Sequence, residues 1–335
     1  MLANVSLRPY NTFGIDVIAK NLVIVNSNIA LAGLLLDPNW FGIEKLILGR
    51  GSNVLFSRDY EGLIILIRIA GITCTGQTEE DITLRVGAGE DWHSFVLYCV
   101  EHGYAGVENL SLIPGTVGAA PLQNIGAYGV EVKNVIESVE AMNIETGEVR
   151  FFSNAECKFG YRESIFKREL KGQFVITAVN FKLSKKPQFQ TEYGDIRRVL
   201  EEKNISKLSL KAISDAVIQI RTSKLPDPSQ IGNAGSFFKN PEIPISQFEE
   251  LKVRFPNIPG YPMPNGIKVA AGWLIEQAGW KGFRSGEVGV HAKQALVLVN
   301  YGGGTGIEIR QLSAQIQNSV SSKFGIQLTP EVNFI

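Results

Sequence analysis

The residue run with the densest chemical content is Asn233-Ala-Gly-Ser-Phe-Phe-Lys-Asn-Pro241. Gly235 lets the backbone turn into conformations closed to other residues, and the hydroxyl of Ser236 follows it directly. Phe237 and Phe238 can bury large apolar areas and so fix that hydroxyl, while Lys239 supplies a cation. No histidine lies close in sequence and the G-x-S-x-G elbow is absent, so a hydrolase triad is not the natural reading. Two readings remain. Ser236 is a turn serine between two core phenylalanines, or a lone proton donor whose alkoxide is stabilised by nearby cations.

Three glycine clusters carry most of the remaining information. Gly49-Arg-Gly-Ser-Asn53 lies between an apolar strand, Lys45–Leu48, and the strand Val54–Phe56. Such a turn is either an ordinary hairpin loop or a concave nest of N–H groups suited to a diphosphate. The third glycine of a Rossmann fingerprint is missing and no helix follows. The other clusters are Ile113–Pro121 and Gln123–Gly129, where small side chains allow a large flat ligand close to the backbone. Taken together they point to one cofactor with a diphosphate and a ring system. Its expected contacts are Gly49, Arg50, Gly51, Ser52, Asn53, Pro114, Gly115, Thr116, Gly118, Ala119, Gln123, Asn124, Gly126, Ala127, Tyr128 and Gly129. Arg162 reads either as a solvated loop arginine or as a permanent cation held over an anionic group. Glu331, on a terminal strand, is most simply a surface charge.

Balanced charge, with 33 basic and 33 acidic side chains, gives no global field to attract nucleic acid or an anionic membrane. Three scattered cysteines without C-x-x-C spacing read as reduced thiols, not as disulfides or a metal site. The N-terminus lacks a long apolar run, and Leu63–Ile72 is too short to span a bilayer. A cytoplasmic location, no metal, no nucleic-acid partner and no membrane association are therefore expected. Periodicity predicts helices over 28–36, 90–102, 209–221, 270–278 and 305–324. Strands are expected over 16–26, 63–72, 82–86, 132–143, 148–152, 174–183, 295–300 and 328–335, with Val332 and Phe334 sharing one face. Pro187–Val199 reads as a polar insertion, Pro256–Pro264 as a proline-rich connector, and Lys224–Pro228 as the main break.

Six motifs in order carry a resemblance that covers nearly the whole chain. They are Gly49-x-Gly-Ser-Asn53, Ile113-Pro-Gly-x-x-Gly118, Gln123-Asn-x-Gly-Ala-Tyr-Gly129, Tyr161-Arg-Glu-Ser-x-Phe-Lys167, Gly232–Pro241 and Pro330-Glu331. With Asn11-Thr-Phe-Gly14 before them, the chain resembles the UDP-N-acetylenolpyruvoylglucosamine reductase family, in its longer type I form. The resemblance implies an NADPH-dependent flavoenzyme that completes UDP-N-acetylmuramate in bacterial cell-wall synthesis. It also implies an α+β fold: two mixed α/β lobes of the vanillyl-alcohol-oxidase-like FAD-binding kind, plus a separate α+β substrate-binding domain. The expected division is 1–68 and 69–222 for the lobes (the Tyr193 loop inserted in the second), 223–322 for the substrate domain, and 323–335 for a strand returning to the active site. A monomer is expected.

By the same resemblance, Ser236 is the proton donor, and Arg162 and Glu331 are the other catalytic positions. Hydride from reduced flavin N5 adds to the enolpyruvyl group, and a fixed cation stabilises the enolate-like state that follows. Tyr193, Lys224, Asn240 and Gln294 are the expected grips on the sugar nucleotide. The alternatives are a sugar or alcohol oxidase on the same scaffold, or a flavin- or nucleotide-sugar-binding module without turnover. Related oxidases often attach flavin through a histidine in the first glycine loop; Arg50-Gly-Ser-Asn53 has none, so FAD should be noncovalent. Acid precipitation of the purified protein should leave yellow colour in the supernatant; flavin that stays with the denatured polypeptide overturns this.

Overall fold

Alternating apolar residues build the largest sheet of the chain, for which the computed structural model describes residues 1–335. Its strands lie in the order Val149–Ser153, Ile136–Asn143, Phe174–Ser184, Asp81–Gly87, Ile72–Gln77, with every neighbour antiparallel. The helix Trp92–Glu101 buries Trp92, Phe95, Val96 and Cys99. Phe95 meets Phe181 of the sheet with ring centroids 4.7 Å apart. Residues from Val25 to Leu183 contribute to this one apolar core. The smaller pairing of Lys45–Leu48 with Leu63–Leu66 is parallel.

Contacts divide the chain into two compact units. One holds residues 1–3, 21–50 and 61–223. The other holds residues 4–20, 51–60 and 224–335, so two short N-terminal pieces fold with the C-terminal third. The second unit carries a sheet ordered Gly232–Asn233, Leu298–Asn300, Val288–Val290, Arg284–Ser285. Its longest helix, Gly306–Phe324, starts with a capping box between Thr305 and Glu308 and stops at Gly325, which is left-handed at φ +67°.

Several expectations are corrected. The run expected as one strand over 63–72 is two, Tyr60–Ile67 and Ile72–Gln77. The chain turns between them: the Arg68 guanidinium donates to the carbonyls of Gly49 and Ile67, and Gly71 takes φ +116°. Val132–Asn134 is a helical turn, so its strand begins at Ile136. The polar stretch 187–199 leads into a helix, Ile196–Glu202, whose Ile196, Val199 and Leu200 pack on Ile213, Val217 and Ile220. The proline-rich connector holds a hairpin, Gly260–Met263 with Gly266–Val269. Pro262 is tolerated because its strand is at the sheet edge, where no N–H is demanded. The C-terminal strand shrinks to Asn333–Phe334, parallel to Val54–Leu55. Val332 is buried and Phe334 is 39% exposed, its ring centroid 6.1 Å from that of Phe237.

No helix is long and apolar enough to cross a membrane. Cys99 and Cys157 are buried free thiols, and burial, with the Glu156 charge beside it, pushes Cys157 up to about 12.

Within the large sheet sits a buried carboxylate, Glu140, 4% exposed. Arg85 grips it with Nε and Nη2, each at 2.9 Å, Thr177 Oγ1 donates at 2.9 Å, and Asn28 Nδ2 at 3.0 Å. Removing one partner of such a pair leaves the other charge without compensation. Glu140→Ala should therefore lower the unfolding free energy by about 3 kcal/mol, measured by urea titration. A loss below about 1 kcal/mol, the range of exposed pairs, would mean Arg85 finds water instead.

Candidate active site

In the second unit, Ser236 is exposed while its neighbours Phe237 and Phe238 are 0% and 1% exposed. Buried rings on the chain side and a hydroxyl facing solvent set the loop's orientation. Two backbone bonds then tie it to the C-terminus. Glu331 N donates to Phe237 O at 2.8 Å, and Lys239 N donates to Thr329 O at 2.9 Å, around an antiparallel bridge of Phe238 with Pro330. Ser236 and Glu331, far apart in sequence, thus stand at one end of the same short ladder. Glu331 is half-buried there, not the plain surface charge that its position on a terminal strand suggested.

The first glycine loop reaches the same place. Asn53 Nδ2 donates to Glu331 O at 3.3 Å, and Asn333 N donates to Asn53 O at 3.1 Å. Gly51 takes φ +62°, and a Cβ there would lie 2.1 Å from Tyr10 O, so only glycine fits. Ser52 lies half-buried between them. Asn240 Oδ1 accepts from Ala271 N at 2.9 Å, and Gln294 Oε1 accepts from Leu296 N at 3.3 Å. Both amides spend their oxygen on the backbone, so the NH2 group is what each can offer a ligand. Lys224 is exposed at the end of the helix Leu210–Lys224.

In the first unit, the other two glycine clusters converge with Gly49 and Arg50. A Cβ on Gly49 would lie 2.4 Å from Thr116 Oγ1, and one on Gly118 would lie 2.5 Å from Ala88 Cβ. Gly115, at φ +135°, precedes the buried Thr116, whereas Pro114 is exposed and Ala119 half-buried. Asn124 is fully buried: Nδ2 donates to Gly160 O at 2.9 Å and Oδ1 accepts from Lys133 N at 3.1 Å. Gln123, Gly126, Ala127 and Tyr128 are half-buried, and Gly129 is exposed at φ +79°.

Arg162 joins this group. Its Nη2 donates to Gly126 O at 2.8 Å, and its own backbone is left-handed at φ +58°. A loop arginine fixed this way is not simply solvated. Tyr193 is 53% exposed, and a Cβ on Gly129 would lie 3.2 Å from the Tyr193 Cβ. The buried Asn109 pins both segments, its Nδ2 donating to Tyr128 O at 3.1 Å and Gln190 O at 2.9 Å.

Four further residues belong here that the motifs did not single out. Arg50 pairs with Asp91, the N-cap of helix Trp92–Glu101. Burial pushes the Asp91 carboxyl up, but bonds from Ser94 and the Arg50 charge outweigh it and leave the group below its ordinary range. His93 Nδ1 accepts from Leu112 N at 3.0 Å, and Arg221 Nε donates to Leu112 O at 3.2 Å. Leu112, at φ +59°, opens the second glycine cluster and is held from both sides. The side chain of Arg221 also reaches Tyr128, whose phenol burial pushes up. From sequence Asp91 reads as a first-turn acid and His93 as a surface or helix-end histidine; nothing local marks their partners.

These loops fit FAD. They present backbone and small side chains, several glycines could not be replaced, and Gly49–Asn53 contains no residue able to bond a flavin covalently.

Comparison with known proteins agrees in both units. A family model for an FAD binding domain matches residues 19–153, and one for the C-terminal domain of UDP-N-acetylenolpyruvoylglucosamine reductase matches residues 227–335. The reductase of that name from Amoebophilus asiaticus is 53% identical, covering 99% of this chain and 98% of its own length. Its counterparts from Flavobacterium johnsoniae and Chromobacterium violaceum are 50% and 49% identical over 99% and 98% of this chain. The crystal structure of the Thermus caldophilus reductase aligns over 98% of this chain and 97% of its own with a TM-score of 0.68 at 24% identity, a likeness of fold.

The His93 contact predicts a pH dependence. Burial lowers its pKa from the ordinary 6.5, the Arg221 charge lowers it further, and Asp91 opposes both. Protonation would also abolish the bond that Nδ1 accepts. The unfolded chain therefore takes up the proton first. Stability from this group is complete above about 6.5 and is lost as pH falls towards the depressed folded value. His93→Gln, which can still accept from Leu112 N but does not titrate, should flatten the acid limb of unfolding free energy against pH. Identical slopes in both proteins would refute it.

Proposed function

The chain belongs to the UDP-N-acetylenolpyruvoylglucosamine reductase family, and on that premise we propose how its own residues carry the reaction. It is an FAD-containing oxidoreductase that reduces UDP-N-acetyl-3-O-(1-carboxyvinyl)glucosamine to UDP-N-acetylmuramate, with NADPH as co-substrate, in peptidoglycan biosynthesis. The observation that carries the activity is the end-to-end likeness to reductases of that name, which leaves no unmatched half to host another chemistry. The oxidase alternative has no comparable support.

When bound, FAD supplies the hydride that reaches the enolpyruvyl carbon. Negative charge then develops on the adjacent carbon and its carboxylate. Arg162 stabilises it: a guanidinium stays charged, binds carboxylates bidentately, and here is restrained by Gly126 O rather than searching rotamers. Glu331 is the third catalytic position, its backbone N–H donating to Phe237 O. Ser236 delivers the proton to carbon as general acid. Such groups act because they are placed before the charge appears. Tyr193, Lys224, Asn240 and Gln294 hold the sugar nucleotide, the two amides donating to its acceptor oxygens. Residues 1–68 and 69–222 serve FAD in a vanillyl-alcohol-oxidase-like arrangement, 223–322 serve the substrate, and 323–335 return Glu331 to the site. The protein works as a monomer in the cytoplasm.

Ser236→Ala separates the two half-reactions. Reduction of FAD by NADPH requires no proton on a substrate carbon and should proceed at the wild-type rate in stopped flow. Oxidation of the reduced enzyme by the enolpyruvyl substrate should fall by roughly 10²–10⁴-fold, and Ser236→Cys should recover part of it. If both half-reactions fall together, Ser236 is a structural turn residue.

A further inference from the structure

A proton donor on a loop needs something to hold the loop, and the exposed Ser236 makes no contribution to its own placement through burial. The residue three positions earlier is of the opposite kind. Asn233 is 2% exposed, and its side-chain amide is bonded inward through both the oxygen and the nitrogen. Its Oδ1 accepts from Gly235 N at 2.9 Å, while Nδ2 donates to Ile231 O at 2.8 Å and Pro226 O at 3.2 Å. The amide closes the turn that precedes Ser236, then clamps that turn to the Lys224–Pro228 segment. Gly235, at φ +68°, completes the turn with nothing within 4 Å of where a Cβ would sit.

The backbone of Asn233 has a second tie. Its N–H donates to Thr12 O at 2.9 Å, and Thr12 N donates to Gly51 O at 3.1 Å. One residue of the N-terminal segment therefore bonds the turn before Ser236 with one face and the first glycine loop with the other. That segment carries its own internal bonds. Asn11, 6% exposed, accepts from Ile15 N at 3.0 Å and donates to Leu7 O at 2.7 Å and Ile15 O at 2.9 Å. Phe13, fully buried, meets Phe237 edge-on at 6.3 Å, and its carbonyl accepts from Asn300 Nδ2 at 2.9 Å. A Cβ on Gly232 would lie 2.1 Å from Phe13 O, so the strand entering the Ser236 loop is pressed directly on this strap.

We propose that Asn233 is the positioning residue for Ser236: its amide, seated on the Thr12 strap, sets the hydroxyl relative to the Gly51 loop. This rests on Ser236 being the proton donor. Asn233 touches no reacting atom and adds no charge. Its role is geometric, and a misplacement on the order of 1 Å is enough to lower a rate by about 10²-fold.

The test uses FAD-loaded full-length protein and stopped flow, with Asn233→Ala made in wild-type and Ser236→Ala backgrounds. In the wild-type background, oxidation of the reduced enzyme by the enolpyruvyl substrate should slow by about 10²-fold, while flavin reduction by NADPH is unchanged. In the Ser236→Ala background the same substitution should change neither rate further, because there is no hydroxyl left to misplace. Equal losses in both backgrounds, or losses in both half-reactions, would make Asn233 a scaffold residue and overturn the proposal. Should Asn233→Ala not retain its fold, Gly235→Ala replaces it: that change strains the same turn through φ alone and should give the same pattern. A Ser236→Ala enzyme that oxidises at the wild-type rate would instead reject the proton-donor assignment itself, a failure distinct from unequal behaviour of the two backgrounds.

Discussion

The short antiparallel pairing of Phe237–Lys239 with Thr329–Glu331 is the constraint on which the second unit's chemistry depends. Two hydrogen bonds frame it, each with a net worth of about 0.5–1.5 kcal/mol. Burying Phe237 and Phe238 contributes roughly 1.5–3 kcal/mol per ring. The rings therefore supply most of the free energy, and the hydrogen bonds decide register. That division explains how an exposed serine and a half-buried glutamate can be held in place without being buried themselves. Asn53, bonded to Glu331 O and to Asn333 N, extends the same register to the first glycine loop.

The first unit solves a different problem, which is to bring three loops together and keep chosen side chains on them. Leu112, Asn124, Tyr128 and Arg162 all take positive φ, at 44° to 59°. Each such residue costs on the order of 1–3 kcal/mol, and a glycine would remove most of that. Asn124 uses its side chain for two internal bonds, which offsets its strain. For Tyr128 and Arg162 the retained side chain is the point: one faces Arg221, the other is bonded to Gly126 O. Strain here is tolerated because neighbouring bonds over-determine the backbone, as Asn109 does for Tyr128 and His93 with Arg221 does for Leu112.

Much of this was legible in residue order. Periodicity located five of the seven helices closely, since a helix is encoded by contacts within a turn or two, but it passed over Ile196–Glu202 and Ile245–Arg254; Thr305, Glu308 and Gly325 mark both ends of the longest one. Glycine clusters marked the loops that converge in the first unit, and the Ser236 run marked the loop tied to the C-terminus in the second. Strand ends were less legible. The run 63–72 is apolar but for Arg68 and Gly71, and its break depends on Arg68 reaching Gly49 O, a partner no local window contains. The hairpin inside the proline-rich connector was not legible either, because only the sheet order reveals that Pro262 lies on an edge strand.

By itself, then, the sequence determined the residue chemistry: which groups can be charged, donate a proton, or let backbone approach a ligand, and which of the most periodic runs become helices. Tertiary structure alone decided which of these groups meet. Asp91 with Arg50, His93 with Leu112, Glu331 with Phe237, and Asn233 with Thr12 are all pairings between segments distant in the chain. Such pairings leave no periodic trace, because each depends on the burial of other residues to close the intervening loop. The recruitment of residues 4–20 and 51–60 into the unit of the C-terminal third is the largest instance. No composition shift announces it; it follows from Phe13 finding Phe237 in the core and Thr12 having a carbonyl and an N–H to spend on either side.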